Sequence, residues 1–165
     1  MTKNCYGDTR DWNACFNPEY PVCPEWLGLY RHVIEQAIRW EIRETPLSSL
    51  LARIYTLDGE RVVGLRETPA SRFLSGEEEV LERYYRFLNE NCYPNAKYSV
   101  KRFKTLFQSI RAKGFDPSQL IVTFDNSWLP ATVWGEIADG QHRASILAHL
   151  NGLNSTVPIF NIVRD

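Results

Sequence analysis

The sequence predicts an α/β (α+β) fold, in which a small mixed sheet is flanked by helices and preceded by an N-terminal arm and helix. Short β-branched runs alternate along the chain with longer stretches whose apolar residues recur at helical spacing. With 165 residues, 44% of them hydrophobic, the chain is long enough to bury one core without metal ions or disulfides. We therefore expect one compact domain over residues 45–165, against which residues 1–44 pack.

The N-terminal segment differs in composition from the rest of the chain. Residues 1–24 are rich in Asn, Asp, Pro and Cys and have no sustained apolar period, which predicts an irregular arm. Its three cysteines lack the paired spacing of a zinc site. Residues 25–43 carry apolar side chains at helical spacing, and Thr45-Pro46 would end that helix.

The start of the chain also bears on its location. Met1–Asn4 is polar and does not begin a signal peptide, so we expect a cytoplasmic protein with reduced thiols. No apolar run approaches the length of a membrane span, and we expect no membrane partner. The net charge of −1 provides no general attraction to nucleic acid.

The middle of the chain predicts a β-hairpin followed by two amphipathic helices. Asp58-Gly59 supplies the positive φ that a tight hairpin needs. Ser75 and Glu78 resemble a capping box at the start of one helix, and Gly114 is placed to end the next. The expected strands are 52–57, 61–65, 120–124, 133–138 and 157–163, and the expected helices are 76–91, 99–113 and one ending at 151.

The most distinctive segment begins as an apolar strand at Ile137 and turns through glycine directly into a helix. Gly140 permits positive φ and a close approach of the backbone, while the first helical N–H groups lack partners within the helix. Arg143 adds a planar fork for phosphate oxygens, and His142 and Ser145 are further donors. The segment therefore predicts a phosphate site; the alternative is an ordinary capped helix.

This segment carries a resemblance to a known group of proteins. Asp-Gly-Gln-His-Arg at 139–143, followed by an apolar helix, Asn-Gly at 151–152 and Val-Pro-Ile at 157–159, resembles the signature of the ParB/sulfiredoxin superfamily. The Gly-Phe turn at 114–115 stands in the same order before it. Thr-Pro-Ala-Ser-Arg at 68–72 is similar to the superfamily's Asn-Pro-x-x-Pro-Arg element, with two departures. The resemblance covers about the last two thirds of the chain and implies that fold for residues 45–165.

Differences between this sequence and the superfamily's pattern indicate which of the superfamily's activities to expect. Sulfiredoxins carry a cysteine where this chain has Gln141, so sulfinyl chemistry is not expected. Chromosome-partitioning ParB proteins continue into a helix-turn-helix, and a chain ending at Asp165 leaves no room for one, so we expect no sequence-specific DNA binding. The free serine kinases and related small-molecule kinases resemble the chain best. They imply ATP-dependent, Mg²⁺-assisted phosphoryl transfer to a hydroxyl of a small molecule, such as an amino acid, polyol or sugar.

The resemblance also implies roles for individual residues. Glu67 is the predicted base for the acceptor hydroxyl, with His142 as the second catalytic residue, although Glu67 could instead be an exposed carboxylate paired with Arg66 or Arg72. Asp139 is the predicted metal ligand, and the loop around Trp128 is a possible substrate loop. The residues expected to bind the phosphates of ATP, ADP or CTP are Gly140, Gln141, His142, Arg143, Ser145 and Arg72.

Two other functions remain open at this point. A non-catalytic regulator would bind ATP or CTP and signal through residues 1–44 without turnover. A ParB-like nuclease ranks below it, because the sequence has no cluster of carboxylates or histidines suited to two-metal cleavage. The acceptor, the choice of nucleotide and the oligomeric state are encoded in no motif of the chain.

Overall fold

The computed structural model describes residues 5–8, 16–17, 20–21, 39–125 and 135–163. The strands are β1 (Cys5–Asp8), β2 (Phe16–Asn17), β3 (Tyr20–Pro21), β4 (Arg39–Pro46), β5 (Leu51–Thr56), β6 (Gly59–Gly64), β7 (Ile121–Asp125), β8 (Glu136–Asp139) and β9 (Thr156–Val163). The α-helices are α1 (Pro69–Leu74), α2 (Glu78–Asn91), α3 (Val100–Lys113) and α4 (Gln141–Asn151), and 3-10 turns cover Leu47–Ser49 and Leu65–Glu67. None of the helices in these ranges is long and apolar enough to cross a membrane.

Seven of the strands form one mixed sheet in the order β1-β4-β9-β7-β8-β5-β6, and β2 pairs with β3 separately. β7 runs parallel to β9 and β5 parallel to β8, whereas the other neighbours are antiparallel. The predicted class, a mixed sheet with helices, is confirmed. The arm that was expected to be irregular contains β1, β2 and β3.

The core lies where the helices pack against the central strands. The apolar faces predicted for α2 and α3 are confirmed as buried, and α4 adds a third apolar contribution. Ile121 on β7 and Ile159 on β9 are register partners, so their side chains share the face that meets the helices. The core side chains from the helices are Ala70, Leu81, Tyr85, Leu88, Phe103, Ile110, Ala144, Ile146 and Leu147. Each large apolar side chain buried in this way contributes about 1.5–3 kcal/mol to stability.

Local chemistry explains the hairpin and the ends of α3. β5 and β6 pair from Thr56↔Gly59 outward, and Gly59 has a φ of 117°. The Ser99 hydroxyl accepts the Arg102 backbone N–H at 3.2 Å, which caps the start of α3. Gly114, with a φ of 79°, follows its last residue. The predictions for these elements are confirmed.

The capping box predicted from Ser75 and Glu78 is wrong. Ser75 closes α1, since its backbone N–H bonds the carbonyls of Ser71 and Arg72. Helix α2 begins at Glu78 after Glu77, which provides no side-chain cap. The acidic residues in its first turn instead interact favourably with the helix dipole.

The helix predicted over residues 25–43 is wrong at its C-terminal end, where residues 39–43 belong to strand β4; residues 25–38 lie outside the described residues. β4 pairs with β9 along its whole length, and Trp40 stacks on Phe160 with ring centroids 5.6 Å apart. This pairing outweighs the weak helical preference of the local sequence. The expected boundary between residues 44 and 45 therefore falls inside a strand.

An ion pair holds the start of β8 against its parallel neighbour. Glu136 is only 6% exposed and accepts hydrogen bonds from Nε and Nη2 of Arg53 on β5, the second at 2.8 Å. Arg53 also pairs with Glu60 on β6. These ion pairs connect the adjacent strands β8, β5 and β6 near the start of β8, the strand that leads to Gly140. Of the predicted strand 133–138, residues 133–134 lie outside the described ranges.

A row of buried polar side chains crosses β4, β9 and β7. Asn161 accepts the Thr123 hydroxyl at 2.7 Å and donates its amide N–H to Glu41 at 3.0 Å. Glu41 is also paired with Arg43 at 3.2 Å. The register places Asn161 opposite both Glu41 and Thr123, so a one-residue slip of β9 would separate all three groups. The polar row therefore favours this register.

Replacing Asn161 with alanine should lower the free energy of unfolding by about 2–4 kcal/mol, because one buried partner is removed from each of Glu41 and Thr123. Urea titration measures the loss. Asn154→Ala, at an exposed position between α4 and β9, is the control and should change stability by less than about 0.5 kcal/mol. Equal stabilities of the two variants would contradict this role for Asn161.

Candidate functional site

The candidate site begins where β8 passes into α4. Gly140 has φ 93° and ψ 18°, the left-handed conformation that the sequence predicts for this turn. The first hydrogen bond within the helix runs from the Ala144 N–H to the Gly140 carbonyl at 2.8 Å. The N–H groups of Gln141, His142 and Arg143 precede it and have no partner within the helix, and glycine has no side chain to cap them. The predicted strand–glycine–helix turn is confirmed.

Arg143 lies across this turn. A Cβ on Gly140 would stand 3.0 Å from the Arg143 Nη2 and 3.1 Å from the Ile121 Cγ1, so both side chains would have to shift by a few tenths of an ångström. The Arg143 Nη2 is 3.1 Å from the Asp139 Oδ2, and its Nη1 donates to the backbone carbonyl of Gln119. The Arg143 side chain is 13% exposed and that of Asp139 37%. A guanidinium therefore sits beside an uncapped helix start, which is an arrangement complementary to an anion.

His142 points into the protein. Its Nε2 is 2.9 Å from the Tyr85 Oη, and its ring lies edge-on to Tyr85, Tyr98 and Phe103 at 5.5–6.2 Å between centroids. Burial lowers the pKa of His142 to about 4; the negative charge of Asp139 opposes this shift and the positive charge of Arg143 adds to it. The imidazole is neutral at pH 7, so its side chain offers a phosphate no positive charge.

Ser145 is fully buried and faces Thr68, not the turn. Thr68 donates its hydroxyl proton to the Leu65 carbonyl at 2.8 Å and accepts the Ser71 N–H at 3.2 Å. Because that proton is already committed, the Ser145 hydroxyl, 3.0 Å away, donates to Thr68. This bond attaches the 3-10 turn and the start of α1 to α4. The 65–74 segment therefore lies beside α4.

Glu67 and Arg72 lie in that attached segment. Glu67 is exposed in the 3-10 turn immediately before Thr68. Arg72 is exposed on α1, and its guanidinium binds Glu77 with Nε 3.0 Å from Oε1 and Nη2 2.5 Å from Oε2. The hydrogen bond from Arg72 lowers the pKa of Glu77. Arg72 thus pairs with Glu77, and not with Glu67 as in one form of the alternative interpretation of Glu67. Trp128 lies outside the described residues.

Asp139 is the acidic side chain that the structure places at the turn. Within the described ranges, no group of three or more His, Cys, Asp or Glu side chains is positioned to hold a metal ion. A Mg²⁺ ion shared with phosphate groups needs only one or two carboxylates from the protein. Asp139 is therefore a carboxylate at the turn that could share such an ion with phosphate groups.

A groove of about 550 Å³ lies between α2 and α3 and is lined by Tyr85 and Tyr98, the two tyrosines that contact His142. Tyr85 lies within the amphipathic helix predicted over residues 76–91, but its hydrogen bond was not predicted, because no motif marks that hydroxyl. Its helical spacing indicated burial but not a partner on α4. The other lining residues are Glu82, Arg86, Asn89, Glu90, Ser99, Val100 and Lys101.

Comparison of the chain with protein family models, with curated proteins and with solved structures finds no match. The resemblance to the ParB/sulfiredoxin superfamily therefore stays a prediction from the sequence. The fold is a mixed α/β fold, and its candidate site is the start of α4, which has no side-chain cap and is flanked by Arg143.

Gly140→Ala should destabilise the protein by about 2–4 kcal/mol, since the left-handed backbone costs about 1–2 kcal/mol and the added methyl group meets Arg143 and Ile121. Gly76→Ala is the control, because Gly76 has a φ of 106° with no atom within 4 Å of the added carbon. Urea unfolding should show the larger loss at position 140. A larger loss at Gly76 would contradict the close approach described for the turn.

The lowered pKa of His142 predicts loss of stability in acid. Because the folded value of about 4 lies below the ordinary 6.5, the stabilisation is fully present above pH 6.5 and is lost as the pH falls toward 4. Wild type should lose about 2–3 kcal/mol more than His142→Gln between pH 7 and pH 4.5. Urea titrations of both proteins at each pH measure the difference, and parallel pH profiles would show that His142 is not buried as a neutral group.

Proposed function

We propose that the protein is an ATP-dependent phosphotransferase that acts on the hydroxyl of a small molecule, on a fold of the ParB/sulfiredoxin kind. The observation that carries the proposal is the uncapped start of α4 at Gly140 with Arg143 lying across it. Free N–H groups, the positive end of the helix dipole and a guanidinium converge there on one small volume. Phosphate oxygens complement all three.

ATP phosphates fit the residues at the turn. Because Gly140 has no Cβ, a phosphate oxygen could approach the N–H groups of Gln141 and His142 once the Arg143 guanidinium moves from its place beside Gly140. Arg143 would exchange the Gln119 carbonyl and Asp139 for phosphate oxygens, which match its planar fork. In this proposal His142 acts through its backbone N–H, because its side chain is neutral and bonded to Tyr85.

Asp139 would hold Mg²⁺ together with the phosphates. When bound, the metal neutralises charge on the phosphoryl group that is transferred. In the structure Asp139 is paired with Arg143, so the metal would compete with the guanidinium for this carboxylate.

Glu67 is the residue we assign to the acceptor hydroxyl. It precedes Thr68, whose bond to Ser145 attaches this segment to α4. The Glu67 carboxylate would take the proton of the hydroxyl while the acceptor oxygen bonds to the γ-phosphorus and the bond to the β-phosphate oxygen breaks, releasing ADP. Arg72 would have to leave Glu77 to assist as a second cation.

Calorimetric titration of ATP, ADP and CTP with Mg²⁺ tests the binding half of the proposal. Arg143→Ala should weaken nucleotide binding about tenfold or more, since a charge-assisted hydrogen bond contributes about 1.5–3 kcal/mol. Arg83→Ala is the control: Arg83 is exposed on α2, paired with Glu79, and its loss should leave affinity unchanged within about twofold.

Phosphorus NMR with pooled hydroxyl metabolites tests the transfer half. Wild type should produce a new phosphoester signal, while Glu67→Gln should bind nucleotide and form no product. Glu79→Gln, at an exposed position of α2, is the control and should keep its activity. Binding without transfer would show a nucleotide-binding protein that is not a kinase, and absence of nucleotide binding would overturn the proposal.

A further inference from the structure

The hydroxyl of Tyr85 joins the middle of α2 to the first turn of α4. Tyr85 is 3% exposed, stacks on Tyr98 with centroids 5.6 Å apart, and places its Oη 2.9 Å from the His142 Nε2. His142 is the second residue of α4, next to the N–H groups assigned to phosphate. A buried polar contact from another helix therefore ends directly at the proposed anion site.

The chemistry of the two groups indicates which one donates. A phenol is a stronger acid than a neutral imidazole N–H, and an imidazole nitrogen is a stronger base than a phenol oxygen. Burial lowers the pKa of His142 and raises that of Tyr85, so both groups are uncharged at pH 7. Tyr85 thus donates to the Nε2 of His142, and the single imidazole proton resides on Nδ1.

The start of α4 has few local restraints. Gly140 offers no capping side chain, and the N–H groups of the first helical turn have no carbonyl partner within the helix. Arg143 does restrain it through Asp139 and the Gln119 carbonyl. Those contacts are the ones that Arg143 would give up on binding phosphate, whereas the Tyr85–His142 bond does not compete with the ligand.

We propose that Tyr85 is a positioning residue for the phosphate-binding turn: its hydroxyl holds His142 as the Nδ1–H tautomer and thereby keeps the first N–H groups of α4 aligned when Arg143 leaves its partners. This inference rests on the proposed function, because an anion must bind at the turn for the alignment to be measured. It assigns Tyr85 a role through His142 and no contact with substrate.

Tyr84 provides a matched control on the same helix. Its hydroxyl accepts the Tyr55 backbone N–H at 3.2 Å and so joins α2 to β5, not to α4. Tyr84→Phe and Tyr85→Phe each remove one hydroxyl and keep the ring. A difference between them reports on the bond to His142 and not on the general loss of a buried hydroxyl.

The test combines nitrogen NMR of the His142 imidazole with calorimetry, using pyrophosphate and Mg²⁺ as the probe. Wild type should show Nδ1 protonated and Nε2 unprotonated, and Tyr85→Phe should shift the proton toward Nε2. The affinity for pyrophosphate should fall about three- to tenfold in Tyr85→Phe, the effect of one lost hydrogen bond, and stay within about twofold in Tyr84→Phe.

The outcomes separate this inference from the proposed function. Equal affinities of Tyr85→Phe and wild type for pyrophosphate would overturn the positioning role but would not contradict the proposed anion site. An Nε2–H tautomer in wild-type His142 would overturn it without any substitution, so the inference is testable even if Tyr85→Phe does not fold. If wild type binds neither pyrophosphate nor nucleotide, the proposed function fails and this inference fails with it.

Discussion

The left-handed backbone at Gly140 is the constraint on which the site depends. It lets β8 pass into α4 without a capping side chain and leaves the space into which Arg143 folds, within 3.0 Å of where a Cβ would stand. Any other residue would strain this left-handed backbone, and its Cβ would press on the guanidinium and on Ile121. The geometry of one residue thus sets both the free N–H groups and the position of the cation beside them.

Helix α4 is held by partners from distant parts of the chain and not by its own cap. Ser145 bonds Thr68, 77 residues away, and His142 bonds Tyr85, 57 residues away. These two bonds attach the 65–74 segment and α2 to α4. The proposed base and the proposed phosphate-binding turn therefore lie on elements that are joined by polar side-chain contacts. Such contacts fix the position of one element relative to the other.

The error at β4 and the success at the hairpin have one physical explanation. A tight turn needs positive φ at its glycine, so Asp58-Gly59 indicates a hairpin whatever the rest of the chain does. Trp40 and Ile42 fit either a helix face or a strand, and pairing with β9, more than a hundred residues later, decides between them. The capping box at Ser75 failed for a local reason, because Ser75 ends α1 and α2 begins only at Glu78.

The sequence by itself determined the class of fold, the hairpin, the apolar faces of α2 and α3, and the strand–glycine–helix turn, because each follows from backbone preferences or periodicity within a few residues. Only the tertiary structure decided that β4 is a strand, that His142 turns inward to Tyr85 and that Ser145 faces Thr68. A side chain's direction depends on which distant element packs beside it, and that choice is made by the whole core.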